Sequence, residues 1–389
     1  MLILDKPYVS DFLKSTLIEN KFEVLKHKNY STLNLPENAN CIEEIDFIAK
    51  AKNSKNPKIY SNSENAINWI NNNLAETTLP GKINLFKDKI KFRDLIKPIF
   101  PDFFYQGVKI TDLKNVDTTK IAKPFIIKPA VGFFSMGVYK VKEDSEWNDI
   151  VKSIEEEMNL AKELYPAEVI DSTNFIIEQN IPGKEFAIDV YFDENKKPVI
   201  LNILEHIFPN EDDLTDRAYV TSKEIVEHYH DVFEYLLVKI GALAKIKNFP
   251  MHIEVKVTDQ GEIIPIEINP MRFTGWCLTD LAHFAYNINI YDYFMNSKKP
   301  NWDEILKGKD NKTYSMIIAS LPKDINSSMI ESINWDKFSS SFENVLELRK
   351  IDYTEYPVFG FLFTETKNEN IEEINKILKS DLKEFINLK

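Results

Sequence analysis

The chain has 389 residues, 43% of them hydrophobic, which is enough to form the cores of about two or three domains. Its 61 acidic and 48 basic side chains give a formal net charge of −13, which opposes general attraction to nucleic acid backbones and anionic membranes. Only two cysteines occur, Cys41 and Cys277, far apart in the sequence, so a disulfide framework and a paired-thiol metal site are excluded.

The first residues, MLILDKPYVSDFLKS, do not have the pattern of a signal peptide, because no basic segment precedes an apolar core. No uncharged apolar run approaches the roughly 20 residues that span a bilayer. We therefore expect a cytoplasmic protein with no membrane partner and no nucleic acid partner.

Strand and helix patterns alternate over the first 81 residues. LILD and FEVLKH are typical of strands, VSDFLKSTLIEN between them is typical of a helix capped by Ser10, and KIYSNSENAINWINNN follows as strand and helix. The alternation predicts a small α/β layer with a parallel sheet. After it, Pro80-Gly81 predicts a turn, and the residues up to Lys97 predict one helix that Pro98 ends.

From residue 125 to 205 the patterns are mostly those of strands: FIIKPA, GVYKV, FIIEQNI, EFAIDVYFD and PVILNILEH, with a helix over about 145–163. Residues 206–222 have no clear period and predict a long loop, either a functional lid or a disordered segment. A helix over about 223–246 precedes two strands, MHIEVKVT and IIPIEINP, which a DQG turn joins.

The C-terminal residues alternate again, from about residue 312. The expected elements are the strand YSMIIASLP, a helix near 327–338, the strands VLELRKIDY and VFGFLFTE, and the helix NIEEINKILKSDLKEFI. This order predicts an appended α+β domain.

Two acidic residues lie on the strands on either side of the DQG turn. Glu254 is in HIEVKV and Glu267 is in PIEINP, with Asn269 two residues later and therefore on the same strand face as Glu267. Antiparallel pairing can bring Glu254 opposite Glu267, which gives two carboxylates and an amide oxygen of the kind that suits Mg²⁺. The alternative for each Glu alone is a solvated acid on a sheet face.

The segment FIIKPAVGFFSMGVYKV combines a Lys with two nearby glycines. Lys128 ends a strand-type run, and Gly132 and Gly137 follow before a second such run. Glycine allows backbone N–H groups to turn towards an anion, and the Lys adds a positive charge. The Lys precedes the glycines here, unlike in the GxxxxGK[ST] phosphate loop. Taken alone, this segment and FIIEQNIPGKEFAIDV also fit ordinary hairpins.

Together these segments resemble the ATP-grasp superfamily. The shared order is Asp88-Lys89, IIKPAVGFFSMGV at 126–138, IIEQNIPGKEFAIDV at 176–190, and HIEVKV with PIEINPMRFTG at 252–275. The resemblance covers roughly residues 82–295 and is greatest to the D-alanine–D-alanine ligase and L-amino acid ligase branches.

The resemblance implies a chain of mixed α/β and α+β class. Its expected domains are an N-terminal pre-grasp α/β domain (1–81), an ATP-grasp domain of two α+β subdomains that clasp ATP (82–310, with a small lid subdomain at 125–190), and the C-terminal α+β domain (311–389).

The resemblance also implies ATP and Mg²⁺ as cofactors, with Mn²⁺ as an alternative ion. The residues expected at the phosphates, directly or in the closing loop, are Lys89, Lys128, Ser135, Met136 and Gly137. Those expected to hold the adenosine are Glu178, Gln179 and Ile181 for adenine and Glu185 for ribose. Those expected to bind two Mg²⁺ ions are Glu254, Glu267 and Asn269.

Three cationic side chains are the catalytic candidates. His252 shares a strand face with Glu254, although a core histidine is the alternative. The family commonly has one residue between the Asn and an Arg that acts on the substrate, whereas Met271 is an additional residue before Arg272 here. Arg217, in NEDDLTDRAY, is therefore a second candidate for that role.

The activity that the resemblance implies is an ADP-forming carboxylate–amine ligase acting on amino acids or small peptides. A small-molecule carboxylate and an amine are the expected partners. A homodimer is a further possible assembly. The alternatives are a carboxylase or phosphoribosyl-type ligase of the same superfamily and an ATP-binding scaffold without turnover. No biotin-carrier segment is evident in the sequence, and all three expected metal ligands are present, which favours the ligase.

Overall fold

The computed structural model describes residues 1–132, 137–164, 173–210 and 216–389, with the backbone alone for 160–164. The chain divides into two compact units. The first consists of Met1–Gly183, Val190–Pro198 and Tyr235–Cys277, and the second of Lys184–Asp189, Val199–Glu234 and Leu278–Lys389. The domain boundaries expected from the sequence stay predictions.

The strands, in chain order, are β1 (Leu2–Ile3), β2 (Val24–Lys26), β3 (Cys41–Glu43), β4 (Tyr60–Ser61), β5 (Tyr105–Lys109), β6 (Phe125–Pro129), β7 (Tyr139–Val141), β8 (Asn174–Gln179), β9 (Lys184–Phe192), β10 (Pro198–Ile207), β11 (Ala218–Ser222), β12 (Phe249–Val257), β13 (Ile263–Pro270), β14 (Lys312–Ser320), β15 (Ile330–Ile333), β16 (Val345–Lys350), β17 (Val358–Lys367) and β18 (Ile386–Leu388).

The α-helices are α1 (Asp11–Glu19), α2 (Glu44–Lys52), α3 (Ala66–Asn73), α4 (Leu79–Lys87), α5 (Lys89–Ile96), α6 (Trp147–Leu164), α7 (Lys223–Ala244), α8 (Leu281–Tyr286), α9 (Ile290–Met295), α10 (Trp302–Ile305), α11 (Trp335–Ser339) and α12 (Glu372–Lys379). Within the described parts of the chain, every helix is too short or too polar to cross a membrane.

A small parallel sheet begins the first unit, in the strand order β3-β2-β1-β4. Helix α1 follows β1, and its first turn is capped by Ser10, whose hydroxyl oxygen accepts a hydrogen bond from the Leu13 N–H at 3.1 Å. The α/β layer predicted from the alternating pattern is confirmed. The three-residue strand β3 was not predicted, because so short a run carries no readable period.

The predicted turn at Pro80-Gly81 is wrong, since both residues lie within α4. Pro80 is in the first turn, where a backbone N–H would have no intrahelical acceptor. The single helix predicted up to Lys97 is also wrong, because Asp88 divides it. The Asp88 carboxylate accepts hydrogen bonds from two N–H groups in the first turn of α5, at 3.0 and 3.2 Å, and so begins a new helix.

A second sheet of the first unit is antiparallel, in the order β5-β8-β6-β7. Side chains of this sheet and of α6 form one apolar core, which places β6 and β8 side by side with fixed register. The buried residues of this core are Leu113, Ile121, Phe125, Ile127, Val141, Trp147, Val151, Ile154, Met158, Phe175 and Ile177.

Strands β12 and β13 of the first unit form an antiparallel hairpin. Glu254 lies directly opposite Glu267, and His252 lies directly opposite Asn269, with a register shift just after Glu254. Since directly paired residues share a face of the sheet, all four side chains project to the same side.

The second unit contains an antiparallel run of neighbouring strands, in the order β10-β11-β14-β17-β16. The helix expected near 327–338 is wrong over Ile330–Ile333, where β15 pairs with β18; Ser327–Met329 form a short 3₁₀ helix and Trp335–Ser339 form α11. Ile330 and Ile333 are both buried because a register shift follows Ile330, and their three-residue spacing imitates a helix.

Candidate active site

The hairpin face carries the predicted metal ligands. The Asn269 amide nitrogen donates to Glu267 Oε1 at 3.3 Å, and His252 Nε2 lies 3.5 Å from Glu254 Oε1. His252 and Asn269 are buried, whereas the two carboxylates are partly exposed. Two carboxylates, an amide and an imidazole are therefore brought together in the way that the strand alternation suggested.

Lys89 lies against this face. Its ammonium group is 2.9 Å from Glu267 Oε2, and its backbone N–H donates to the Ala130 carbonyl at 2.8 Å, just after β6. Burial alone would lower the pKa of Lys89, but the carboxylates around it, led by Glu267, hold that pKa above its ordinary value. Burial likewise opposes ionisation of Glu267, yet Lys89 and Lys128 lower its pKa to about 2. The pair is therefore fully charged.

A second ion-pair cluster surrounds Glu178 on β8. Its side chain is 4% exposed, with Lys128 Nζ 2.5 Å from one oxygen and Arg93 Nε 2.9 Å from the other. Burial raises the pKa of a carboxyl group, but Arg93 and Lys128 outweigh that effect and lower the pKa of Glu178 to about 2. The two lysines expected at the phosphates are thus each held by a carboxylate.

Sequence reasoning missed Arg93, although a signal was present. Arg93 lies four residues after Lys89 within one helix, so the two side chains share a helix face. A cation placed four residues after a predicted ligand could have been added to the site on that ground.

Gln179 ends β8, and residues 180–183 form the turn between β8 and β9. Gln179 accepts a hydrogen bond from the Phe104 N–H through its side-chain oxygen at 2.9 Å, and its own N–H donates to the Phe104 carbonyl at 3.1 Å. Ile181 is buried. Gly183 has φ +108°, and a Cβ there would lie 2.1 Å from the Val257 carbonyl oxygen, so this turn packs closely on the end of β12.

The predicted closing loop is described only in part, since Ser135 and Met136 lie outside the described residues. Gly137 has φ +71°, and its N–H donates to Glu157 Oε2 at 2.9 Å. The Gly137 N–H therefore faces a carboxylate of α6, and the expected place of Gly137 in a loop over the phosphates stays a prediction.

Arg272 pairs with Glu64, which follows β4. Its Nη2 and Nε lie 3.2 and 3.4 Å from Glu64 Oε1, and Lys87 pairs with the other oxygen. Burial opposes ionisation of Glu64, but Lys87 and Arg272 lower its pKa below the ordinary value. Neither Glu64 nor Lys87 was predicted, because their contacts join segments that are distant in the sequence.

The additional residue Met271 has a structural role. It is buried, has φ +69°, and bonds on both sides: its N–H donates to the Pro250 carbonyl at 2.9 Å, and its carbonyl accepts from the Ser61 N–H at 2.8 Å. The backbone turns in the left-handed region at Met271, which directs Arg272 towards the Glu64 segment.

Two predicted residues belong to the second unit. Glu185 Oε1 is 2.9 Å from His206 Nδ1, and the His206 ring stacks on Tyr219 at 4.1 Å between ring centroids. Arg217 donates to the Ser380 and Ile377 carbonyls at 2.7 and 3.4 Å, at the carboxyl end of α12. Their expected contacts with ribose and substrate stay predictions.

A protein-family model described as an ATP-grasp domain matches residues 121–280. Residues 121–280 of this chain are an ATP-grasp domain. The match includes β6, β8, β12 and β13, which carry Lys128, Glu178, Glu254 and Glu267. The family recognised from the order of the motifs is confirmed.

Solved structures share the fold over the whole chain. An L-amino acid ligase from Bacillus licheniformis is 16% identical, with a TM-score of 0.67 over 100% of this chain and 98% of that chain. The biotin carboxylase domain dimer of a Hydrogenobacter thermophilus 2-oxoglutarate carboxylase, in complex with MgADP, ADP and bicarbonate, is 11% identical, with a TM-score of 0.63 over 100% and 90%.

An N5-carboxyaminoimidazole ribonucleotide synthetase from Thermotoga maritima is 14% identical, with a TM-score of 0.63 over 100% and 98%. At these identities the likeness shows the fold, and the predicted mixed α/β class is confirmed. A search of curated protein sequences found no match.

The described residues of the candidate site fit ATP and Mg²⁺. Glu254, Glu267 and Asn269 offer oxygen ligands on one sheet face, and Lys89 and Lys128 are buried cations beside it. ATP with Mg²⁺ is the cofactor pair of ATP-grasp ligases, so the family match confirms the predicted cofactors and the predicted enzyme class.

Proposed function

We propose that the chain is an ADP-forming carboxylate–amine ligase that joins an amino acid or small peptide to an amine. The observation that carries this proposal is the hairpin register, in which Glu254 faces Glu267 while Lys89 pairs with the latter. A binding scaffold needs no such set of metal ligands and phosphate-neutralising cations.

In the first step, a substrate carboxylate oxygen attacks the γ-phosphorus of ATP, the bond to the bridging oxygen breaks, and ADP and an acyl phosphate form. Such a transfer needs positioning and charge stabilisation rather than a protein nucleophile. Lys89 and Lys128 would stabilise the phosphoryl oxygens, and Glu254, Glu267 and Asn269 would hold the metal. When bound, Mg²⁺ neutralises charge on the triphosphate.

In the second step, the amine nitrogen attacks the acyl carbon, phosphate leaves with the former carboxylate oxygen, and a proton is lost from nitrogen. His252 lies two residues before Glu254 and Arg272 three residues after Asn269, and these two groups would stabilise the oxyanion. Glu64 holds Arg272 in a defined direction, which supports a role that depends on orientation.

The substrate class rests on likeness and on charge. The L-amino acid ligase shares the fold along the full chain, and the Arg272–Glu64 pair offers one group of each sign, as a zwitterionic amino acid requires. Expected partners are therefore small molecules. The cytoplasmic location is part of the same proposal, supported by the presence of only two cysteines.

The proposal is tested by measuring ADP and phosphate release with pairs of amino acids, with bicarbonate as the sole acid in a parallel series. The ligase requires release that depends on both an amino acid and an amine. Hydroxylamine in place of the amine should yield a hydroxamate, because it captures the acyl phosphate. Bicarbonate-dependent release would favour a carboxylase, and ATP binding without turnover across the whole panel would favour a scaffold.

A further inference from the structure

Arg93 is among the most deeply buried large side chains of the described chain, with 2% of its surface exposed. Its Nε donates to Glu178 Oε2 at 2.9 Å, its Nη1 donates to the Pro265 carbonyl at 2.7 Å, and its guanidinium carbon lies 4.1 Å from the centre of the Phe103 ring. Its Nη2 is buried and has no hydrogen-bond partner among the described residues. Burying a guanidinium with an unused donor costs free energy, so the other contacts of Arg93 must offset that loss.

Helix α5 places two cations along β13. Lys89 and Arg93 are four residues apart on one helix face. The Lys89 ammonium contacts the Glu267 carboxylate, and the Arg93 guanidinium contacts the backbone carbonyl of Pro265, two residues earlier on β13. Arg93 additionally bonds Glu178 on β8. A single side chain therefore ties the strand of the expected adenine contact to the strand of the expected metal ligands.

Glu178 is fixed from both sides. Arg93 binds one carboxylate oxygen, and Lys128 binds the other. A buried ionised carboxylate is stable only when it is paired. An arginine offers a carboxylate a planar fork of donors that a lysine in the same place would not, so Arg93 holds one oxygen of Glu178 in a fixed direction while Lys128 contacts the other.

We propose that Arg93 is a positioning residue of the nucleotide site, which orients Glu178 for the adenine 6-amino group and, through it, Lys128 for the phosphates. This inference rests on the proposed function only in taking Glu178 and Lys128 as nucleotide contacts. An ionised carboxylate accepts a hydrogen bond from the 6-amino group of adenine, whereas the 6-oxo group of guanine offers it no donor. Arg93 thereby acts on the choice of base without touching the nucleotide.

The test measures dissociation constants for ATP, GTP and inorganic tripolyphosphate by calorimetry, with no second substrate present. Arg93→Met should weaken ATP binding by about 10- to 100-fold, and should weaken GTP binding less, so that base discrimination falls. Arg93→Lys should recover part of the loss. Glu178→Gln should reproduce the loss of discrimination, and adding Arg93→Met to it should change little more, because both act through one contact.

A matched control comes from the second unit. Arg349 is also buried, pairs with Asp280 at 2.7 Å and lies 4.5 Å from the centre of the Phe363 ring. Arg349→Met should lower thermal stability and leave the ratio of ATP to GTP affinity unchanged. This control separates loss of a buried ion pair in general from loss of the proposed positioning.

Wild-type discrimination in Arg93→Met would overturn the inference while leaving the proposed function intact. A wild-type protein that binds no ATP would overturn both. If Arg93→Met does not fold, Arg93→Lys and Glu178→Gln decide the question, and unchanged discrimination in both would overturn the inference.

Discussion

Carboxylates and cations alternate among the candidate site residues of the first unit. Glu178 lies between Arg93 and Lys128, and Glu267 is paired with Lys89. Each acid is held ionised by its neighbours although burial favours its neutral form. The buried carboxylates of the candidate site are therefore ionised and paired with cations, an arrangement that suits charge stabilisation.

Glu267→Gln should abolish most turnover, because it removes a metal ligand and the partner of Lys89. We expect ADP release to fall by about 10²- to 10³-fold while the circular dichroism spectrum stays that of the wild type. The matched control is Glu262→Gln, an exposed residue in the turn of the same hairpin. A Glu267→Gln enzyme as active as the Glu262→Gln control would disprove the metal assignment.

Glu178 predicts an acid-sensitive contribution to stability. Its pKa is lowered from 4.5 to about 2 in the folded protein, so its stabilisation is complete above the unfolded value and is lost as pH falls towards 2. The shift corresponds to about 3 kcal/mol. Urea unfolding between about pH 6 and 3 should show a steep decline for the wild type and a shallower one for Glu178→Gln. Equal slopes would contradict the pairing.

Some site residues could be predicted at this scale and others could not. Glu254, Glu267 and Asn269 were readable because strand alternation fixes which side chains share a face. Glu64 gave no local signal, since its partner Arg272 is over two hundred residues away in the chain. The extra residue Met271 was noticed in the sequence, but its left-handed conformation follows from backbone bonds to Pro250 and Ser61 that only the folded chain contains.

At the scale of elements, the turn between β8 and β9 and the hairpin β12–β13 define the site. Gly183 lets the turn approach the end of β12 to a distance that a side chain would block. Local patterns predicted both elements, since in each of them two runs of alternating apolar and polar residues are separated by a turn that contains glycine. The division of α4 from α5 was missed because Asp88 acts as a cap inside a continuous helical pattern.

Gly183→Ala should be strongly disruptive. The new Cβ would lie 2.1 Å from the Val257 carbonyl oxygen at a left-handed φ, so we expect a loss of about 2–4 kcal/mol and weaker ATP binding. Gly261→Ala is the matched control: its φ is also positive, at +80°, but its added Cβ meets no atom within 4 Å among the described residues other than its chain neighbours. That control should lose only about 1 kcal/mol. Chemical unfolding and calorimetry measure both effects, and equal losses would show that close packing at Gly183 is unimportant.

At the scale of the whole molecule, the order of the motifs predicted the family while no single motif did. A glycine loop, a strand ending in Glu178 and a hairpin with two acids are each common, but their joint order is specific. The arrangement of the C-terminal strands was harder to predict, because β14 pairs with β11 across a long sequence separation. The contributions of Glu185 and Arg217, which belong to the second unit, stay predictions.

The substrates cannot be derived from the fold, since one architecture accommodates an amino acid ligase, a carboxylase and a ribonucleotide synthetase. The proposed mechanism for this chain is phosphoryl transfer from ATP to an oxygen of the substrate acid. The central claim is therefore that a substrate carboxylate attacks the γ-phosphorus.

The most direct test follows an ¹⁸O label from the substrate carboxylate, using an amino acid pair that supports turnover. The account predicts that ADP is formed and that the released phosphate carries one ¹⁸O atom per amide bond, because the carboxylate oxygen becomes the bridging oxygen and leaves with phosphorus. Unlabelled phosphate, or formation of AMP and pyrophosphate, would contradict it.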